Sequence, residues 1–278
     1  MIYSAIFKVI EKISPFLIVT PTVESFGNCA EEMQHALIRA LNEGKKAIFI
    51  FPLDMFFFCR FSKNSLGVNQ SLTDINSNFL YKINAFFIYP LRLLMSIEYC
   101  IYRLYNKFTK NKRIATNPRY GINEIYNIGN ESIYSTEILR TKFWDLALVD
   151  DIGVHLDGIV NRRALQGKRD LGMPDDAWFV CVHVRDSGYY GSSEGIQKQT
   201  RNSDILNYCK AFKTITQNGG WVVRIGDSNM KKIPDLDHVI DYAHSKEKSN
   251  LLDVYLIQEC AFYIGTPSGP LTVANLFR

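Results

Sequence analysis

His183-Val184-Arg185-Asp186 closes the apolar run Phe179 to Val184, and glycines follow at 188 and 191. An apolar run that ends abruptly in polar side chains reads as a buried central strand delivering those side chains to a sheet edge. In open α/β sheets, ligands sit outside the carboxyl ends of the strands. A forked, permanently charged guanidinium placed there matches a pair of phosphate oxygens. The competing reading is an arginine that ends a strand in a surface ion pair. Two further segments end in the same way. Trp221 to Ile225 runs into Gly226-Asp227, and Ala261 to Ile264 runs into Gly265-Thr266-Pro267-Ser268-Gly269, ahead of a helical stretch from Leu271 to Phe277. Small hydroxyl residues between glycines, just before a helix, turn N–H and O–H groups toward an anion at the helix N-terminus. Alone, that turn is equally a tight connection with a serine N-cap. Paired with Arg185 in one sheet, it predicts a diphosphate held between the guanidinium and Thr266, Ser268 and the adjoining backbone.

Other chemistries fit less well. Asp235-Leu236-Asp237 has a spacing that can hold a divalent ion on a diphosphate. Arg185 and helix N–H groups would offset the same charge, so the expectation is no metal and no cofactor. A transfer reaction at such a site needs a base for the incoming hydroxyl. Glu24, Glu31 and Glu32 flank Gly27, and Asp186 lies on the Arg185 side; Glu32 and Asp186 are carried forward as catalytic candidates with Arg185. His35, one turn further on, reads as a surface or packing residue. No Gly-x-Gly-x-x-Gly follows any strand-like run, which argues against a nicotinamide oxidoreductase.

These residues need elements to hold them. Phe16 to Thr20 is a short apolar run, followed by a Gly27-Asn28 turn. Ala30, Met33, Leu37, Ile38 and Leu41 then recur at helical spacing as far as Gly44, and Ala47 to Phe51 is a second apolar run. Strand, turn, helix, strand is the opening of a Rossmann-like domain. Residues 53–113 read as a helical insertion. It has a Phe56, Phe57, Phe58, Phe61 cluster, a polar stretch from Asn64 to Asn78, and a helical region from Phe79 to Lys112 broken or kinked near Pro90. Asn117 to Asp150 holds short strands. Val154 to Leu171 is a helix leading into a second domain, in which Phe179, Trp221, Val239 and Ala261 open strands and Asp204–Gln217 and Ser249–Cys260 are helices. This alternation implies a doubly wound, mostly parallel sheet. The predicted domains are 1–153, with the insertion, and 154–278. The chain stops at Arg278 within or just after a helix, so the second domain is expected to be incomplete at its C-terminus.

Composition narrows the class. Of 278 residues, 47% are apolar, enough for sizeable cores. A net charge of +4 announces no nucleic acid and fits an anionic small ligand or a membrane surface. Six cysteines lack paired spacing, so a reducing cytosol is the expected home. Lys8, Glu11 and Lys12 interrupt the N-terminal apolar stretch, so it does not read as a signal peptide. Residues 79–113 carry charges that rule out a spanning helix, but their basic end suits contact with the inner face of an anionic membrane, as an alternative to ordinary core helices.

From about Leu139 to Phe277 the chain resembles a bacterial family of glycosyltransferases. More distantly it is similar to the fucosyltransferase superfamily that uses GDP-fucose. The first motif of that superfamily is an apolar strand ending in His-x-Arg, here His183-Val184-Arg185. Its last is an Asp on a helix, an apolar strand and a small-hydroxyl turn, here Asp253 through Ser268-Gly269. The resemblance implies two Rossmann-like domains of GT-B type, the donor on the second, the acceptor on the first and catalysis in the cleft. It implies that Arg185 contacts the β-phosphate of a nucleotide-sugar, GDP-linked, and that His183 and Asp253 recognise the base. Thr266, Ser268 and Gly269 would bind diphosphate, with Gly226 and Asp227 near nucleotide or sugar. Where the superfamily has a second Arg, this chain has Asp186. The implied activity is metal-independent transfer to a glycan or lipid-linked acceptor in surface polysaccharide or glycoconjugate biosynthesis. The alternative is a non-catalytic nucleotide- or carbohydrate-binding protein on the same fold.

Overall fold

The computed structural model describes residues 2–21, 26–53, 70–109, 125–128, 131–134, 152–188 and 199–277. Glu24, the Phe56–Phe61 aromatic cluster, Lys110, Lys112 and Arg113 lie outside them. The chain divides into two compact units, one of Met1–Val68 and Asn76–Val154 with Arg278, the other of Asn69–Ile75 and His155–Phe277.

The first unit opens with helix α1 (Ile2–Ile13), strand β1 (Phe16–Val19), helix α2 (Phe26–Asn42) and strand β2 (Lys46–Phe49). β1 and β2 pair in parallel, with Leu17 opposite Ala47. The predicted periodicity places Ala30, Met33, Leu37 and Ile38 in the buried face of α2. The helix stops where glycine allows it. Gly44 takes φ 61°, while its N–H and that of Lys45 satisfy the carbonyls of Leu41 and Ala40. The Gly27-Asn28 turn is not observed. Gly27 is buried within the first turn of α2, so no turn conformation is needed there.

The insertion is also less helical than expected. Leu80 bridges in parallel to Ala47, adding a third strand position beside β2. A one-turn 3-10 helix, Gln70–Asp74, is followed by strand β3 (Ile75–Asn76). Residues as far as Ile75 belong to the second unit, where Leu72 and Ile75 are buried. Helix α3 (Ala85–Thr109) runs through Pro90 without a break. Ile48, Ile50 and Met95 form a cluster with Phe7, Phe16, Ile18 and Leu91, so α1 and α3 cover one face of the β1–β2 pair. Beyond α3, strands β4 (Ile125–Ile128) and β5 (Glu131–Tyr134) pair antiparallel. Parallel pairing in this unit is limited, among the described residues, to β1, β2 and Leu80.

The second unit is a four-stranded parallel sheet. Strand β6 (His155–Leu156) and the N-cap Asp157 precede helix α4 (Gly158–Asp170), a later start than the predicted Val154. Strand β7 (Phe179–His183) leads through a 3-10 turn, Ile205–Tyr208, into helix α5 (Cys209–Gln217). That turn replaces the start of the predicted Asp204 helix, because the Asp204 carboxylate accepts from Leu206 N–H. Then come strand β8 (Trp221–Arg224), strand β9 (Val239–Ile240), helix α6 (Asn250–Glu259), strand β10 (Phe262–Gly265) and helix α7 (Gly269–Leu276). The Ser249 side chain caps α6 at Leu252 N–H, as its sequence position predicts.

The strand order is β10-β7-β8-β9. Every residue of β7 is buried, as its unbroken apolar run requires of a strand covered on both faces. Val180 and Val182 pack with Phe212 and Ile215 of α5, whereas Cys181 Sγ lies 3.2 Å from the Leu256 carbonyl of α6. The chain thus builds outward from β7 to β9 and returns through α6 to place β10 on the other side of β7. That reversal is the switch point of a doubly wound sheet, and in such sheets ligands bind outside the carboxyl ends of the two flanking strands.

Candidate functional site

The flanking strands are β7 and β10, which carry the two motifs singled out in the sequence. Gly265 lies opposite His183 in register. A Cβ on Gly265 would come within 2.5 Å of the His183 carbonyl, so the close approach of the two strand ends depends on glycine there. Three hydrogen bonds then tie the segments together. Thr266 N–H donates to His183 O at 3.1 Å. Arg185 N–H donates to Thr266 Oγ1 at 2.9 Å. Ser268 Oγ lies 3.0 Å from His183 Nδ1.

Ser268 occupies the N-cap position of α7, yet its hydroxyl makes no capping bond. It is turned to His183 instead, so the first amides of α7 have no cap from that side chain. A helix start of this kind presents N–H groups and the positive end of the peptide dipoles. The hydroxyls of Thr266 and Ser268 therefore lock the two motifs to each other, and Gly269 opens the first turn of α7, where Pro270 supplies no N–H.

His183 is buried and its pKa falls to about 4, first because burial disfavours the charged ring and then because the Arg224 guanidinium lies nearby. The imidazole is neutral at physiological pH. Arg185 is 6% exposed. Its backbone is pinned on both sides, by Thr266 at the N–H and by Ser203 N–H donating to its carbonyl at 2.9 Å.

Asp186 uses both carboxylate oxygens on backbone amides. Oδ1 accepts from Gly188 N–H and Oδ2 from Lys231 N–H, each at 2.8 Å. The second bond ties the loop after β7 to the loop after β8, which contains Gly226 and Asp227. Gly226 adopts φ 154°, a region L side chains rarely enter. Asp227 Oδ1 accepts from Asn229 N–H at 2.9 Å and from its Nδ2 at 2.8 Å, folding the loop on itself.

Other predicted site residues stand apart from this cluster's hydrogen bonds. Asp253, in the first turn of α6, accepts from Lys248 Nζ at 3.1 Å. Glu32 and His35 are both buried in α2 of the first unit, so His35 is a packing residue and not a surface one. Glu31 in the same helix is half-buried. Asp235 and Asp237 are exposed on a tight turn in which His238 takes φ 59°. Among the described residues, no three His, Cys, Asp or Glu side chains gather as a metal site.

Arg224 was overlooked in the sequence. It ends β8 beside Val182 and is fully buried. Nη1 donates to Asp241 Oδ1 at 3.0 Å and Nη2 to the Lys231 carbonyl at 2.9 Å. Asp241 also meets Ile233 N–H at 3.2 Å and His244 Nδ1 at 2.9 Å. A buried guanidinium persists only with such partners. A lone arginine in Trp-Val-Val-Arg-Ile-Gly was the available signal. Its charge adds to burial in keeping His183 neutral, and its bond to the Lys231 carbonyl ties down the loop that holds Asp186.

No protein-family model and no curated protein matches the chain. It is similar to the crystal structure of the glycosyl transferase family 9 from Veillonella parvula DSM 2008. Sequence identity is 10%, over 92% of this chain and 76% of that chain, with a TM-score of 0.46.

Proposed function

We propose that the second unit binds a nucleoside-diphosphate sugar at the switch point and that the chain is a glycosyltransferase. The hydrogen bonds from Arg185 N–H to Thr266 Oγ1 and between Ser268 Oγ and His183 Nδ1 support this reading most directly. They hold an arginine and the start of a helix at one sheet edge, a combination suited to a diphosphate. In this reading Arg185 faces the β-phosphate and the Gly269 end of α7 faces the other phosphate oxygens. Negative charge on the departing diphosphate is offset by a fixed guanidinium and fixed amides, without reorganisation. Neutral His183 acts as a hydrogen-bonding group near the base, with Asp253 as the acceptor for guanine N–H groups. Gly226 and Asp227 border the sugar. Both oxygens of Asp186 already serve backbone amides, so its part is to hold the two loops in place. The donor is GDP-linked and the acceptor a glycan or a lipid-linked glycan of a surface polysaccharide or glycoconjugate pathway.

The test is a thermal-shift series with GDP, UDP, CMP and dTDP on the wild type and on Arg185→Ala, with far-UV circular dichroism on both. A ligand that binds the native state raises the midpoint as its concentration exceeds Kd. The expected result is a shift with GDP that Arg185→Ala abolishes while its spectrum is unchanged. Equal shifts in both proteins would remove Arg185 from the site. Incubation with a panel of nucleotide-sugars should release diphosphate; binding without release would identify a non-catalytic binder.

A further inference from the structure

Tyr263 brings a buried polar atom to the same sheet edge, outside the hydrogen bonds that join β7 to the turn after β10. It sits opposite Cys181 in the register of the two strands, with Gly265 opposite His183. A Cβ on Gly265 would stand 2.8 Å from Tyr263 Cε1 and 3.2 Å from its hydroxyl oxygen. The ring therefore runs along the strand, and its hydroxyl lies at the carboxyl end in space that glycine leaves open. That oxygen is buried and completes no hydrogen bond of good geometry among the described residues. Burial raises the phenol pKa, with the Ser268 hydroxyl as the opposing influence, so the O–H keeps its proton. A buried hydroxyl proton without an acceptor is destabilising, and such a group calls for a physical explanation.

Donors and acceptors along three side chains supply one. The Tyr263 O–H needs an acceptor, and Ser268 is the hydroxyl that acts on it. Ser268 makes no capping bond to α7; its oxygen lies 3.0 Å from His183 Nδ1. A serine hydroxyl has one proton to give. If Ser268 accepts from Tyr263, its own proton goes to His183 Nδ1. The imidazole is neutral, its pKa lowered to about 4 by burial first, so it carries a single N–H. With Nδ1 accepting, that hydrogen is on Nε2. The opposite order runs from Nδ1–H to Ser268 and from Ser268 to Tyr263. It leaves the buried Tyr263 proton with no acceptor.

We infer that the Tyr263 O–H is directed to Ser268 Oγ, completing a one-way relay that fixes His183 as the Nε2–H tautomer and makes the ring a donor to the ligand. Tyr263 is a positioning residue in this relay, because it acts through Ser268. The ligand atom met by Nε2 is then an acceptor oxygen, of a phosphate or of a base carbonyl, and not a base N–H. The identity of that ligand rests on the nucleotide-sugar reading; the relay itself does not.

The experiment is a long-range proton–nitrogen correlation spectrum at neutral pH of the full chain with isotope-labelled histidine, in which the two imidazole tautomers give different patterns. His183→Gln assigns the signal among the five histidines. The wild type should show His183 in the Nε2–H form alone. Tyr263→Phe keeps the ring and removes the hydroxyl, so Ser268 can accept from His183 and the Nδ1–H form should appear. Ser268→Ala should likewise give both forms, and circular dichroism is the fold control for each variant. A wild-type Nδ1–H pattern overturns the inference, and so do variant spectra identical to the wild type. If Tyr263→Phe does not fold, the wild-type and Ser268→Ala spectra still decide.

Thermal-shift titrations then read the ligand. Tyr263→Phe should weaken GDP about five-fold, the worth of one neutral hydrogen bond. The same loss with inorganic pyrophosphate assigns the acceptor to a phosphate, whereas a loss with guanosine alone assigns it to the base. An altered tautomer with unchanged affinity for all three overturns the donor role. A wild type that responds to no nucleotide removes the nucleotide-sugar reading, and the spectra still decide the relay.

Discussion

At the scale of single residues, the sheet edge is governed by a neutral imidazole. His183 would carry a proton below about pH 6.5 in an unfolded chain, whereas the folded protein holds it unprotonated down to about 4. Between those values the unfolded state binds more protons, so acid favours unfolding. Stability is therefore flat in this group above pH 6.5, falls as pH drops through the interval, and levels out below 4. The loss is on the order of 3 kcal/mol if fully expressed. Urea denaturation from pH 7 to 4 on the wild type and His183→Gln measures it: the wild type should lose more, and parallel curves would show that His183 is not the titrating group. The residues bearing this edge were readable in the sequence because polar or small side chains interrupt strongly apolar runs. What could not be read was how their polar atoms are used. Thr266 Oγ1 accepts from Arg185 N–H, and Ser268 Oγ lies against His183 Nδ1.

At the scale of elements, strands and helices of the second unit follow the sequence closely, and their order does not. Apolar runs locate β7, β8 and β10, but nothing in them says that β10 returns to the far side of β7. Long-range pairing fixes that, through the Val180–Phe262 and Cys181–Tyr263 register. The Gly27 turn was misjudged for a related reason: a single glycine fits both a turn and a tightly packed helix, and the burial of Cys29, Ala30 and Met33 decides it. The Arg224–Asp241 pair escaped notice because its partners lie 17 residues apart, on adjoining strand ends. It yields an element-level prediction. Asp241→Ala leaves a fully buried guanidinium with only the Lys231 carbonyl, at a cost of about 3 kcal/mol in urea denaturation, the lower end of the range because Asp241 is partly exposed. Asp237→Ala, at an exposed position nearby, should change stability by less than about 0.5 kcal/mol. Equal effects would mean that the buried pair is not what holds the β8–β9 edge.

At the scale of the whole molecule, the units are not two successive stretches of sequence. The second unit combines His155–Phe277 with Asn69–Ile75, a segment that leaves its sequence neighbours to join it. There the Gln70–Asp74 turn packs against α6, and Asp157 N–H bonds the Asp74 carbonyl at 3.0 Å. No local pattern announces this, because a polar one-turn segment resembles any loop. A fragment of residues 154–278 should therefore be less stable than the same unit in the full chain, by about the 2–5 kcal/mol typical of losing a buried leucine such as Leu72. Calorimetry on the fragment, with and without a synthetic peptide of residues 69–76, checks this: the peptide should raise the midpoint, and an unaffected fragment would show the segment to be dispensable. A timetable for biosynthesis follows as well. A nascent chain exposes Leu72 and Ile75 early, yet the helix that shelters them leaves the ribosome some 180 residues later, roughly ten to thirty-five seconds at common elongation rates. During that wait those two side chains are open to chaperones.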